Sequence, residues 1–172
     1  MKVIAVVSAK GGVGKTTLTA NLATALQHQG VATVCVLDTD AQNALALHFG
    51  GDPQAIAGVS RATLAGQDWA SVCVRGASGV FVLPYGLVNE TDRVAFERHL
   101  DAHPGWMAQQ LHNLHLPADA VVLIDTPPGP SVYMQQALTA AHAVVVVSLP
   151  DAASYAALAL MQRPVQADVV PR

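Results

Sequence analysis

Ser8-Ala9-Lys10-Gly11-Gly12-Val13-Gly14-Lys15-Thr16-Thr17 follows a short apolar run, Val3 to Val7, and precedes a segment of helical period. Strand, glycine-rich turn and helix in that order are the setting in which a phosphate-binding loop works. Glycines at 11, 12 and 14 let consecutive backbone N–H groups turn inward around an anion, because no Cβ blocks the approach or penalises positive φ. The phosphate then rests on a helix N-terminus, where unsatisfied N–H groups and the positive end of the helix dipole favour negative charge. In such a loop Lys15 reaches the β and γ phosphates and the Thr16 hydroxyl binds Mg²⁺. The pattern G-x-x-x-x-G-K-[ST] asks for glycine at position 9, where this chain has Ala9, and a second lysine, Lys10, lies inside the loop. Lysine occurs only at positions 2, 10 and 15, which argues against Lys10 as merely a solvated loop residue. The plain alternative for the whole stretch is a glycine-rich turn that holds no nucleotide.

The 172 residues are 52% hydrophobic and 12% charged. That length suits one domain with one well-buried core. Charged residues are about half their usual share, as expected where strands are buried on both faces. A net charge of −3 with no run of Lys or Arg is poor material for a surface that tracks nucleic-acid phosphates. Cys35 and Cys73 form neither a metal-ligand spacing nor a disulfide framework; Cys35, in an apolar run, reads as a small core residue suited to a reducing cytosol. Lys2 is followed by only five apolar residues, so no signal peptide is expected. No apolar run approaches the ~20 residues of a membrane span, so the chain is expected to be soluble and cytoplasmic.

Val3 to Val7 reads as a central parallel strand, and Thr16 to Gln29 as a helix with Leu18, Leu22, Ala25 and Leu26 at helical spacing before Gly30. A second strand, Ala32 to Leu37, runs into Asp38-Thr39-Asp40 and puts both acids on the sheet edge where open α/β folds bind ligands. A short helix is expected in Ala41 to Phe49, closed by Gly50-Gly51, another at Ser60 to Leu64, and a turn with an aromatic anchor at Gly66 to Trp69. Val80 to Leu83 reads as a strand. Glu90 to Leu114 is a helical pattern interrupted at Pro104-Gly105. It carries His99, His103 and His112, with His115 just beyond, at i,i+4 and i,i+3 spacings that could hold a metal but read more simply as solvated helix surface. Ala120 to Ile124 is a strong parallel strand delivering Asp125 at its tip, the shape of an element whose carboxylate holds Mg²⁺ through water. The simpler alternatives are a helix N-cap for Asp38 and a strand-end turn acid for Asp125. A helix from Val132 to Ala141, a strand from Ala143 to Ser148 and a helix ending at Gln162 complete the alternation. The expected fold is α/β in three layers, a mostly parallel central sheet covered by helices on both faces with right-handed crossovers.

With Lys10, Lys15, Asp38, Asp40 and Asp125 on one edge, the chain resembles the deviant Walker A ATPases, the ParA/MinD group of P-loop NTPases. The second lysine is their mark, K-G-G-x-x-K-T, present as Lys10 to Thr16, and the group tolerates a non-glycine where Ala9 stands. The resemblance covers residue 1 to about 162. Within the group, LAGQDW at Leu64 to Trp69, VFVLPYG at Val80 to Gly86 and LIDTPPGPS at Leu123 to Ser131 are similar to the BcsQ family, ATPases encoded with bacterial cellulose synthase.

The resemblance implies a domain over 1–162, short at its C-terminus against relatives, and an irregular tail over 163–172. It implies ATP sandwiched between two subunits, with Lys10 reaching the partner's phosphates as an arginine finger does. Gly11, Gly12, Val13, Gly14, Lys15, Thr16 and Thr17 would cradle ATP. Asp40 would orient the attacking water, and Lys10, Lys15 and Asp40 would carry catalysis. Thr16, Asp38 and Asp125 would serve Mg²⁺, Asp38 by ordering the loop lysines or the hydrated ion, and Pro128-Gly129 would sense the γ phosphate. The implied function is an ATP-driven homodimeric switch that localises or assembles the cellulose synthase machinery, with partners in that complex and recruitment to the inner membrane or cell pole. Three alternatives stay open. A partition ATPase needs basic clusters for DNA, and a MinD-like positioning ATPase needs a basic amphipathic C-terminal helix; neither stands out in the sequence. The third is an inactive nucleotide-binding module.

Overall fold

The computed structural model describes residues 1–52, 54–151 and Ala156. The helix expected to end at Gln162 and the tail 163–172 lie outside the described residues. Six strands form one sheet: β1 Lys2–Val7, β2 Val34–Asp38, β3 Val74–Arg75, β4 Phe81–Leu83, β5 Val121–Asp125 and β6 Ala143–Val146. Their order is β3-β4-β2-β5-β1-β6, and every pairing is parallel except that of β3 with β4. Among the described residues the helices α1 Lys15–His28, α2 Val59–Leu64, α3 Glu90–Ala102, α4 Trp106–Asn113 and α5 Val132–Ala140 lie on the connections between strands, and a 3₁₀ helix spans Leu45–Phe49.

The strand side chains divide by the period of two that the pleat imposes. Cys35, Leu37, Val122 and Ile124 face one layer with Met107 and Leu111 of α4 and Met134, Ala137 and Leu138 of α5. Val34, Val36 and Leu123 face the other, with Ala20 and Ala23 of α1 and Leu45, Ala46 and Phe49 of the 3₁₀ helix. Burial on both faces explains why these strands are continuous apolar runs. Full burial of each Leu, Ile or Val contributes about 1.5–3 kcal/mol. Register sets the site: Asp38 at the tip of β2 lies opposite Asp125 at the tip of β5, and Val6 of β1 pairs with the same Asp125.

Two features go beyond what the sequence pattern indicates. The buried face of α1 is Lys15, Thr19, Ala20 and Ala23, whereas Leu18 is 41% exposed and Ala25 is exposed. The phosphate loop turns Lys15 into the protein, and Thr19, one turn on, must follow it inward, which leaves Leu18 outside while Leu22 and Leu26 still pack on the core. The edge strand β3 was not expected. It has only two residues, both exposed, and no period can be read from two positions.

The break between α3 and α4 at Pro104-Gly105 is held by a side chain from another helix. Gln136 Oε1 accepts from Met107 N at 3.0 Å, while its Nε2 donates to the Leu100 and His103 carbonyls at 2.7 and 2.9 Å. One buried amide thus satisfies the last carbonyls of α3 and an early N–H of α4, groups that a helix end otherwise leaves unpaired. Trp69, the expected anchor, is 1% exposed, and its Nε1 donates to Thr63 Oγ1 at 2.9 Å. His99 stacks on His103 with ring centroids 4.3 Å apart, and Trp106 meets His99 edge-on at 4.4 Å.

Candidate nucleotide site

Gly12 and Gly14 take positive φ, 75° and 86°, as the loop turns from β1 into α1. No side chain caps α1 and its first turn holds no acid. Its first N–H groups therefore stay available to an anion from outside. They open on a cleft of about 340 Å³ lined by Ser8, every residue from Lys10 to Thr17, Asp40, Gln42 and Pro128. All the residues expected to cradle a nucleotide thus share one concave surface with the three expected to catalyse, Lys10, Lys15 and Asp40. Gln42 was not anticipated. Its backbone N–H donates to Asp40 Oδ1 at 3.0 Å, and a polar residue two positions beyond an acid at a strand end was the available clue.

Beneath the cleft the groups are buried. Lys15, 7% exposed, donates from Nζ to Asp125 Oδ1 at 3.1 Å and to the Thr126 carbonyl. The Thr19 hydroxyl donates to the Lys15 carbonyl at 3.0 Å and lies 3.5 Å from Asp125 Oδ1. Burial pushes the Asp125 carboxyl above its usual range, opposed by the Lys15 charge and by hydrogen bonds from Thr16 and Lys15. Asp125 Oδ2 is buried and accepts no hydrogen bond from the described residues. An orphaned buried carboxylate oxygen is costly unless a cation or water completes it. With the Thr16 hydroxyl beside it, the pair is the oxygen donor set that Mg²⁺ selects.

Asp38 does not line the cleft. Its Oδ1 accepts from Asp40 N at 2.9 Å and its Oδ2 from Leu45 N at 3.0 Å, so both oxygens hold the loop from Thr39 to Leu45. Burial pushes its carboxyl up to about 7, with the Asp125 and Asp40 charges adding and the two backbone N–H groups opposing. Across the cleft, Gly129 N donates to Ser8 O at 2.8 Å, and Pro128 packs over Gly11. The loop after β5 therefore lies directly on the phosphate loop. At the outer rim Lys10 Nζ meets Asp151 Oδ1 at 3.4 Å, with both side chains more than 40% exposed.

Residues 1–170 match the family model described as cellulose biosynthesis protein BcsQ. The BcsQ protein of Salmonella typhimurium is 38% identical over 93 residues, 54% of this chain and 37% of that protein. Among solved structures, cobyrinic acid a,c-diamide synthase from Mycobacterium smegmatis, with bound ATP analog and magnesium, superposes with a TM-score of 0.84 at 30% identity, over 97% of this chain and 68% of that one. The septum site-determining protein MinD from Pyrococcus horikoshii, complexed with Mg-ADP, gives 0.78 at 25% identity, over 98% of this chain and 67% of that one. The chain spans between 31% and 60% of the length of these curated relatives. The double-lysine loop, the paired strand-end acids and these likenesses agree: the chain belongs to the BcsQ family of cellulose biosynthesis proteins, within the ParA/MinD type of P-loop ATPases.

Proposed function

We propose that the chain binds Mg-ATP and hydrolyses it as a homodimeric switch that helps localise or assemble the cellulose synthase machinery at the cytoplasmic face of the inner membrane. The observation that carries the catalytic part is the floor of the cleft, where Lys15 and Thr16 converge on Asp125 and leave Asp125 Oδ2 without a donor among the described residues. Thr16 and Asp125 would hold Mg²⁺, and the ion would supply charge neutralisation between the β and γ phosphates. Asp38 orders the loop that presents Asp40. Residues Gly11 to Thr17 cradle the phosphates with backbone N–H groups. Lys15, pinned on Asp125 and Thr126 in this state, exchanges those partners for phosphate oxygens. Asp40, on the cleft wall, holds the attacking water. Lys10, which among the described residues pairs with Asp151 across an exposed contact, crosses to the nucleotide of a second subunit. The link to cellulose synthesis rests on the family model and the BcsQ relatives.

Phosphate release by the purified chain, measured with Asp40→Ala beside it, tests the catalytic part: turnover is expected, and Asp40→Ala is expected to bind ATP yet release phosphate at least about 100-fold more slowly. Unchanged turnover in that variant moves the catalytic role elsewhere. For the cellular part, a fluorescent fusion should lose its membrane or polar focus when the cellulose synthase genes are deleted. An unaltered focus, or ATP-dependent retardation of plain duplex DNA, would turn the reading toward partition.

A further inference from the structure

Asp40 does not place itself. Between Asp38 and Leu45 the chain makes a tight loop whose bend is Asn43, a non-glycine residue at φ +50° that is only 1% exposed. A side chain in that left-handed region is rare outside Asn, Asp and Gly. Two bonds of Asn43 act on the loop. Its N–H donates to the Asp40 carbonyl at 2.9 Å, which closes the turn directly behind the acid. Its Oδ1 accepts from Gly86 N at 3.2 Å, which anchors the turn to a segment 43 residues away.

The anchor is fixed from several sides. Val59 N donates to Pro84 O at 2.9 Å and Leu87 N to Ala55 O at 2.9 Å. The Tyr85 carbonyl accepts from the Ser60 hydroxyl at 2.6 Å. The backbones touch, since a Cβ on Gly58 would lie 2.3 Å from the carbonyl atoms of Tyr85 and from Gly86 N. The Tyr85 phenol is fully buried and shares a 2.8 Å hydrogen bond with Tyr133 in the first turn of α5, where Phe96 completes a three-ring cluster with every pair of centroids 5.9 Å apart. Helix α5 begins just past Gly129 and the Ser131 cap, so the same turn that holds Asn43 also holds the helix that follows the β5 loop.

We propose that Asn43 is a positioning residue for Asp40: by docking the loop from Asp38 to Leu45 onto the Tyr85–Gly86 turn, it holds the Asp40 carboxylate at the cleft wall before nucleotide arrives. The proposal rests on the reading of Asp40 as the water-orienting group. Losing the anchor leaves the phosphate loop and its floor untouched, because none of the bonds of Lys15, Thr16 or Asp125 passes through Asn43. The loss is therefore felt in kcat and not in nucleotide affinity. A displacement of the reacting group by about 1 Å is enough to cost about 100-fold in rate.

Asn43→Gly is the probe, because glycine accepts φ +50° without strain and removes the whole side-chain amide, the acceptor for Gly86 N–H included. It is expected to lower kcat about 10- to 100-fold with KM and the Kd for Mg-ADP within about threefold of wild type. Asn43→Asp, which keeps an acceptor for Gly86 N–H and tolerates the left-handed region, is expected to lose less of kcat than Asn43→Gly even with the cost of a buried carboxyl. Wild-type kcat in Asn43→Gly overturns the proposal, as does an equal fall in both variants. A readout independent of turnover is amide exchange at Asp40 and Leu45 in the nucleotide-free chain, expected to quicken at least about tenfold in Asn43→Gly. Equal exchange shows that Asn43 does not hold the loop and overturns the proposal outright. If Asp40→Ala turns over like wild type, the catalytic reading of Asp40 is what fails, and the exchange measurement still decides whether Asn43 docks the loop.

Discussion

Lys15 and Lys10 belong to the same ten-residue loop but to opposite surroundings. Lys15 is 7% exposed and bonded to a buried carboxylate and a carbonyl; Lys10 is at the rim, 3.4 Å from an Asp151 that is as exposed as itself. A buried pair is costly to break because the remaining charge is stranded, on the order of 3–5 kcal/mol, whereas an exposed pair contributes about 0–1 kcal/mol. The floor of the cleft is thus complete within one chain, and the rim is held by a bond weak enough to be exchanged for a new partner.

The largest effect should come from the floor. Lys15→Ala is expected to lower Mg-ADP affinity by at least about 100-fold in calorimetric titration, since it removes the buried cation that the phosphates would meet. Affinity near wild type would mean that the floor is structural only. At the rim, Lys10→Ala is expected to bind nucleotide within about fivefold of wild type yet to remain monomeric with a non-hydrolysable ATP analogue on a sizing column. Dimers that form without nucleotide and ignore this substitution would remove the distinction between the two lysines.

Asp38 sharpens the comparison from beneath. Its folded carboxyl titrates near 7 against an ordinary value of 3.8, so between those values the folded chain holds a proton that the unfolded chain has released. Stability is therefore expected to fall as pH rises from about 4 to about 7, by about 2–4 kcal/mol from this group. Urea melts across that range should show the fall, and Asp38→Asn should flatten it; a slope unaltered in the variant would assign the effect to other groups. Smallest of all, Asp151→Asn should shift stability by less than about 1 kcal/mol and leave Mg-ADP affinity unaltered. A larger loss in thermal melts would show that the rim is not exchangeable.

Much of this was legible because the chemistry is local. Lys10 to Thr17 is contiguous, and Asp38 and Asp125 each end a buried β-branched run, so their meeting follows from parallel pairing once the strands are recognised. What stayed hidden depends on long-range geometry. The stretch from Ala41 to Phe49 was expected to be helical, but only Leu45–Phe49 is, as a 3₁₀ helix, while Asp40 to Asn43 forms a turn: Asp38 takes Leu45 N and Asn43 is pulled to Gly86. Tyr85 and Tyr133 stand 48 residues apart, and neither flank announces that their hydroxyls meet. Helical spacing sets Leu18 beside Leu22 and Ala25 but does not say which face is buried, and Lys15 at the first position of α1 leaves Leu18 outside. Periodicity reports which face is apolar, and a loop that must bury a lysine can overrule it.

The amide of Gln136 joins three helices through three bonds of 2.7 to 3.0 Å. Because it is carried by α5, the joint turns α3 and α4 into outriggers of the segment that begins at Ser131, and any tilt of α5 has to swing both. Their outer surfaces are thereby tied, through one buried side chain, to the helix that follows the loop whose Pro128 and Gly129 lie on Gly11 and Ser8.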